Sequence, residues 1–311
     1  MTVKIVTDST SDLPSPIAQQ LGITVVPVYV RFGEKVYRDG VDISQDEFYQ
    51  KLVTSPIHPT TSQPTPADFA GVYSKVSREA EEVLSIHLSS KTSGTYSSAL
   101  QGRELAETGR RIEVVDSFSV SMGLGLIIMA AARLAKSGES LQVVMEEIKQ
   151  AISNTRLLGV FETLKYLLLG GRISKAKVLL GSVLNVKPVV TMRDGVLCPA
   201  GLVRTRSKGL ERLFDLVRTT LNVEEIAIVH STTPDEASLL RERIASVFDK
   251  KLIHIARLGP GLGVHGGPGT LILALRQKGG SISQDAGEGR LSRKRLSLPM
   301  LHIPKLNFSS P

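Results

Sequence analysis

A chain of 311 residues, 41% hydrophobic and 22% charged, is ordinary globular in composition, which excludes a disordered protein and allows about two domains with a buried core. The net charge of +8 admits an acidic partner, yet five basic against two acidic residues from Gly279 onward carry +3 of it. The mildly basic body, with no Trp and only 5% aromatic residues, carries no nucleic-acid-binding signature, and the lone Cys198 excludes an intrachain disulfide or multi-cysteine metal site.

In chain order, "VKIVT" reads as a strand and "DSTSDLPSPIAQQLG" as a turn and short helix. "ITVVPVYVRF" reads as one strand that Gly33 turns into a hairpin with "KVYRD". Ser44 to Glu47 form a capping box for a helix through Thr54, and Pro66 takes the first position of the next helix. "VLSIHL", a helix from "SALQGRELAET", and "RIEVVDS" complete a βα alternation, which predicts a mostly parallel sheet.

From about Ala151 the grammar changes. "TRLLGVFE" is a strand, and "LKYLLLGGRISKAKVLLGSVL" predicts two short helices broken at Gly170-Gly171. Two strands flank Asp194-Gly195, a strong hairpin signal, with Cys198 a packing residue in the second. A helix over "SKGLERLFDLVRTTL", the strand "EIAIVH", a helix from Pro234, and the strands "KLIHIAR" and "TLILALR" follow. The expected fold is α/β with two α/β domains, the first (1–155) mostly parallel and the second (156–278) mixed or antiparallel. Residues 279–311 read as a disordered basic tail, whose Arg293 to Arg295 give an alternative role in transient contact with an anionic membrane surface. The N-terminus has no signal-peptide core, and the longest apolar stretch, near "GLGLIIMAAARLA", is too short to span a bilayer, so the expected location is cytoplasmic.

Four polar stretches carry the candidate chemistry. "LSSKTSGTYSSAL", Leu88 to Leu100, gathers hydroxyls where a strand feeds a helix. It fits neither a P-loop nor a nucleophile elbow, which leaves an anion site at a helix N-terminus or simple N-capping. "HPTTSQPTP" sets Thr60, Thr61 and Ser62 among prolines in a polar loop. "LLLGGRIS" puts Arg172 after two glycines, and "GPGLGVHGGPG" sets His265 among six glycines. Taken singly, Arg172 is also read as a surface residue and His265 as a structural one.

In this order, "DSTSDL", "TSQPTP", "SSKTSGTYSSA", "VVDSFSVSMGLG", "GGRIS" and "GVHGGPG" resemble the signatures of the DegV family, from Lys4 to about Arg276. The resemblance implies a two-domain α/β protein holding one long-chain fatty acid between its domains. It further implies a non-enzymatic carrier that presents the acyl carboxylate to the ATP-binding subunit of a fatty acid kinase. That subunit would make acyl-phosphate for phospholipid synthesis, and no cofactor is expected on the carrier. By resemblance, Thr61, Ser93 and His265 contact the carboxylate, Arg172 supports them, and Arg204 or Arg206 takes part in kinase docking. The family often has Thr-His in the last loop, whereas Val264 precedes His265 here, which predicts a missing hydroxyl donor. The basic tail has no counterpart in the family.

The physics fits a buried carboxylate, which needs several donors, and an apolar chain worth about 0.8 kcal/mol per buried CH₂. "GLGLIIMAAA", "LKYLLL" and "VLLGSVL" are candidate tunnel walls or ordinary core. The alternative from another class is a serine-type lipid ester hydrolase, with Ser93 as nucleophile, His265 as base, and Asp8 or Asp116 orienting the histidine.

Overall fold

The computed structural model describes residues 2–179 and 186–279. The N-terminal half runs β1 (Val3–Asp8), α1 (Ser15–Leu21), β2 (Thr24–Val26), β3 (Tyr29–Phe32), β4 (Lys35–Arg38), α2 (Gln45–Thr54) and β5 (Thr60–Ser62). It continues with α3 (Pro66–Val76), β6 (Glu82–His87), α4 (Thr95–Leu105), β7 (Arg111–Asp116), α5 (Ser121–Lys136) and α6 (Leu141–Asn154). Then come β8 (Thr155–Val160), α7 (Lys165–Leu169), a 3-10 turn (Ser174–Leu179), β9 (Lys187–Arg193), β10 (Val196–Val203) and α8 (Arg206–Thr219). β11 (Val223–His230), α9 (Pro234–Ala245), β12 (Ile253–Arg257), α10 (Pro260–Gly266) and β13 (Leu271–Gln277) complete the order.

The strand-helix alternation produces a four-stranded parallel sheet in the order β2-β1-β6-β7. A six-stranded mixed sheet follows the order β10-β9-β8-β13-β11-β12, in which only β11 and β12 run parallel. Its Asp194-Gly195 hairpin forms as expected: both residues have positive φ (51° and 77°), the conformation a tight two-residue turn demands. The fold is thus α/β, with strands of the parallel sheet between Val3 and Asp116 and those of the mixed sheet between Thr155 and Gln277. The described residues to Gly279 pack as one compact unit.

One predicted strand is divided. "ITVVPVYVRF" breaks around Pro27, which cannot donate to a ladder. β2 stays in the parallel sheet, while β3 pairs with β4 and β5 in a separate antiparallel sheet of three strands. The third strand comes from "TTS", read from sequence as loop. The capping box also moves. Ser44 accepts only from Glu47 N–H, whereas Thr65 and Asp68 exchange both bonds at the start of α3, with Pro66 as its first residue.

α5 explains "GLGLIIMAAA". Leu124, Ile127, Ile128 and Ala131 pack with Ile5, Leu84 and Ile86 of the parallel sheet. Met122, Leu126 and Met129 pack with Ala227, Val229, Ile272 and Ala274 of the mixed sheet. A helix apolar all round is therefore a shared core layer between two sheets. No helix among the described residues is long and apolar enough to cross a membrane. The basic tail from residue 280 and residues 180–184 of "VLLGSVL" lie outside the described residues.

Candidate ligand-binding site

β5 brings Thr61 inward by strand alternation. Thr61 pairs with the fully buried Val30, while its neighbours Thr60 and Ser62 are exposed. Its Oγ1 lies 3.0 Å from His265 Nε2. His265 rides on α10, a segment whose glycine content conceals a short helix. Two buried aspartates hold the start of that helix: Gly259 N–H donates to Asp12 Oδ1 (2.8 Å) and Gly261 N–H to Asp39 Oδ2 (3.1 Å). Val264 points the other way, into the cluster of Val30, Tyr37, Phe48 and Leu52. It does not line the cavity around His265, so the hydroxyl expected to be missing there would not have faced the site.

The hydroxyl-rich turn does not cap α4. Gly94 occupies the N-cap position without a side-chain bond. Ser93 Oγ instead accepts from Thr95 N–H (3.2 Å) and lies 2.9 Å from Thr95 Oγ1. Arg172 spans the gap between the stretches: its Nε donates to Thr92 O (3.4 Å) and its Nη1 to Gly170 O (2.9 Å). Gly170 lies against His265, since a Cβ built on it would sit 2.1 Å from Nδ1. A Cβ on Gly94 would sit 2.8 Å from Gln63 Nε2. These contacts close a ring: Thr61, His265, Gly170, Arg172, the Thr92–Gly94 turn, Gln63, and back to Thr61.

The ring borders a narrow cavity of about 100 Å³, measured as space open to water centres. All four candidate ligand residues, Thr61, Ser93, Arg172 and His265, line it. So do Thr10, Gln63 and Thr92, which sequence reasoning did not single out although they stand in "DSTSDL", "TSQP" and "TSGT". The other walls are mainly apolar. Leu157, Leu258 and Ile272 come from the shared core, and Phe161, Leu167, Val190 and Leu197 from a cluster beneath the β9–β10 hairpin. Of the proposed tunnel walls, "LKYLLL" contributes Leu167, and no residue of "GLGLIIMAAA" lines the cavity.

Burial, then the charge of Arg172 and the nearness of His58, pushes the His265 pKa down to about 3, so the imidazole is neutral. Its Nδ1 is buried and has no hydrogen-bond partner among the described residues. Among the described residues no carboxylate orients this ring. Asp8 receives His87 Nδ1 (2.9 Å), Thr10 N–H (3.1 Å) and Leu88 N–H (3.2 Å), and Asp116 receives Ser90 and Phe118 N–H. The acid–histidine pair required by a hydrolase is therefore not assembled at His265. Among the described residues no cluster of three or more His, Cys, Asp or Glu is placed to hold a metal ion. Cys198 is buried in β10, as a packing residue should be.

Arg204 and Arg206 lie apart from the cavity lining. Arg206 is engaged by Glu236 through both Nε and Nη2 (2.6–3.0 Å). Arg204 is exposed and makes no hydrogen bond or ion pair among the described residues.

The family model described as "Uncharacterised protein, DegV family" matches residues 2–278. A DegV domain-containing protein of Caldanaerobacter subterraneus subsp. tengcongensis is 35% identical over 269 residues, covering 86% of this chain and 95% of the relative. A Thermus thermophilus structure described as fatty acid binding of a DegV family protein superposes with TM-score 0.84 at 36% identity, over 89% of this chain and all of the other. A Bacillus subtilis structure described as DegV, a fatty acid binding protein, gives 0.80 at 29% identity, over 89% of this chain and all of the other. A stearic acid-binding protein from Eubacterium ventriosum gives 0.81 at 28%, over 89% and 98%. With the family model spanning nearly every described residue, and the fold shared along it, the chain belongs to the DegV family.

Proposed function

We propose that this protein is a non-enzymatic carrier that binds one long-chain fatty acid in the cavity and presents its carboxylate to the ATP-binding subunit of a fatty acid kinase in the cytoplasm. The observation that carries this reading is the closed polar ring set against apolar walls. The hydroxyls of Thr61 and Ser93, the Arg172 guanidinium and neutral His265 offer hydrogen bonds and one positive charge to a carboxylate. The acyl chain would run along the leucine- and valine-rich wall, each CH₂ contributing about 0.8 kcal/mol. Solved relatives described as fatty acid and stearic acid binding support the ligand class. The kinase step follows from the family resemblance: ATP would phosphorylate the presented carboxylate, giving acyl-phosphate for phospholipid synthesis.

Mass spectrometry of lipid extracted from the purified full chain tests the ligand. The expected result is about one long-chain fatty acid per protein, with no product released from lipid esters. Absence of fatty acid, together with no uptake when it is supplied, would contradict the reading. Ester turnover abolished by Ser93→Ala would favour the hydrolase instead.

A further inference from the structure

Leu157, which lines the fatty-acid cavity, also borders a second recess, a groove of about 620 Å³ between α8 and the β8–β9 strand pair. Four arginines line this groove, Arg156, Arg193, Arg212 and Arg218, against one carboxylate, Asp215. Their convergence follows from register and helical period. β8 pairs with β9 up to Leu158 opposite Thr191, and Arg156 and Arg193 each lie two residues beyond that last pair, at the same end of the strand pair. Alternation puts both on the face of Leu158, which packs beneath α8 beside Leu213 and Phe214. On α8, Arg212, Asp215 and Arg218 recur at spacing three and so share one side of the helix.

Among the described residues only Arg218 has a counter-charge there, donating to Asp215 at 3.2 Å. Arg156, Arg193 and Arg212 make no hydrogen bond or ion pair among the described residues. Like charges brought close together at the end of a strand pair repel. A third unpaired guanidinium on the facing helix adds to that repulsion, which a bound multivalent anion would reverse.

We propose that this groove is a binding site for a small phosphate-bearing anion, separate from the fatty-acid cavity. Guanidinium forks match phosphate oxygens in bidentate geometry. Here they come from both walls of a concavity, which suits a compact ligand better than the broad face of an acidic protein. Leu158 and Leu216 add an apolar floor for the organic part of such a molecule. The site is independent of the fatty-acid reading, and either can fail without the other.

Calorimetric titration of pyrophosphate into the full chain at about 0.15 M salt tests the proposal. We expect saturable one-site binding, weakened tenfold or more by Arg156→Gln and by Arg212→Gln, with fatty-acid affinity unchanged. Thermal unfolding should be level or higher in both variants, because each removes like-charge repulsion. Absence of saturable binding would overturn the proposal, as would binding that neither substitution moves, the pattern expected if the basic tail holds the anion. Tighter binding of a tetraglutamate peptide than of pyrophosphate would also overturn it, pointing to an acidic protein segment.

Discussion

Neutral His265 contributes hydrogen-bonding capacity and shape to the ring, while in the proposed site the formal charge opposite a carboxylate would come from Arg172. The imidazole keeps its place through its bond to Thr61 on one side and contact with Gly170 on the other. Gly170 has φ −78°, an ordinary backbone conformation that alanine adopts without strain. Its missing side chain is therefore a matter of space, because a Cβ would occupy the position of Nδ1. Gly170→Ala should leave the fold intact and displace His265. We expect fatty-acid affinity to fall by about tenfold or more, the scale of a lost hydrogen bond to a charged group. Circular dichroism and a binding titration on the same sample check both halves. A variant with wild-type affinity would show that His265 needs no support from this side.

At the scale of elements, the site depends on how α10 is held. Asp12 receives Gly259 N–H and lies 2.5 Å from Ser121 Oγ, in a buried position. Burial pushes its pKa up to about 8, helped by the nearby carboxylates of Asp39 and Asp8 and opposed by the bonds from Ser121 and Gly259. The unfolded chain ionises this group near the ordinary 3.8. Between those values the folded protein binds the extra proton, so stability is greatest at the acidic end and falls as pH rises toward 8. Asp12→Asn keeps an acceptor and tolerates the positive φ of 52°, and should flatten this dependence. We expect a change in melting temperature between pH 5 and 8 on the order of a few °C in wild type and a smaller one in the variant. An unchanged slope would place the titration elsewhere.

The same elements show what the sequence could reveal. Period-two and capped helical patterns were legible, as β1, β6, β7, α3 and the Asp194-Gly195 hairpin show. The four residues the motifs singled out, Thr61, Ser93, Arg172 and His265, all line the cavity, whereas Thr10, Gln63 and Thr92 beside them were passed over. What stayed hidden depends on tertiary pairing. "TTS" becomes a strand only because β3 lies beside it, and five glycines masked a helix in "GPGLGVHGG". The buried Asp12 and Asp39 that anchor α10 come from distant loops, and no local pattern shows two N–H groups waiting for them. The reach of Arg172 to Thr92 is likewise a contact across 80 positions.

At the scale of the whole molecule, α5 joins the two larger sheets into one core. The proposed presentation to a kinase requires a docking surface. The sequence offered Arg204 and Arg206 together, and the structure separates them. Arg206 is held by Glu236, whereas Arg204 is free of such contacts among the described residues. Arg204→Ala should leave fatty-acid binding unchanged and slow acyl-phosphate formation several-fold at limiting carrier and low salt. The effect should shrink as salt rises, since exposed charges are screened over about 8–10 Å at physiological ionic strength. Unchanged kinase turnover at low salt would remove Arg204 from the docking surface.

Recognition of the carboxylate by the Thr61, Ser93 and His265 side of the cavity is tested most directly by calorimetric titration of palmitate into delipidated wild-type protein and the Thr61→Ala and Ser93→Ala variants. Each variant removes one hydroxyl from the ring, and a lost hydrogen bond to a charged group costs about 1.5–3 kcal/mol, or tenfold and more in affinity. Methyl palmitate, which lacks the charge, should bind wild type and variants alike. Palmitate affinities equal in all three proteins would show that the carboxylate is held elsewhere.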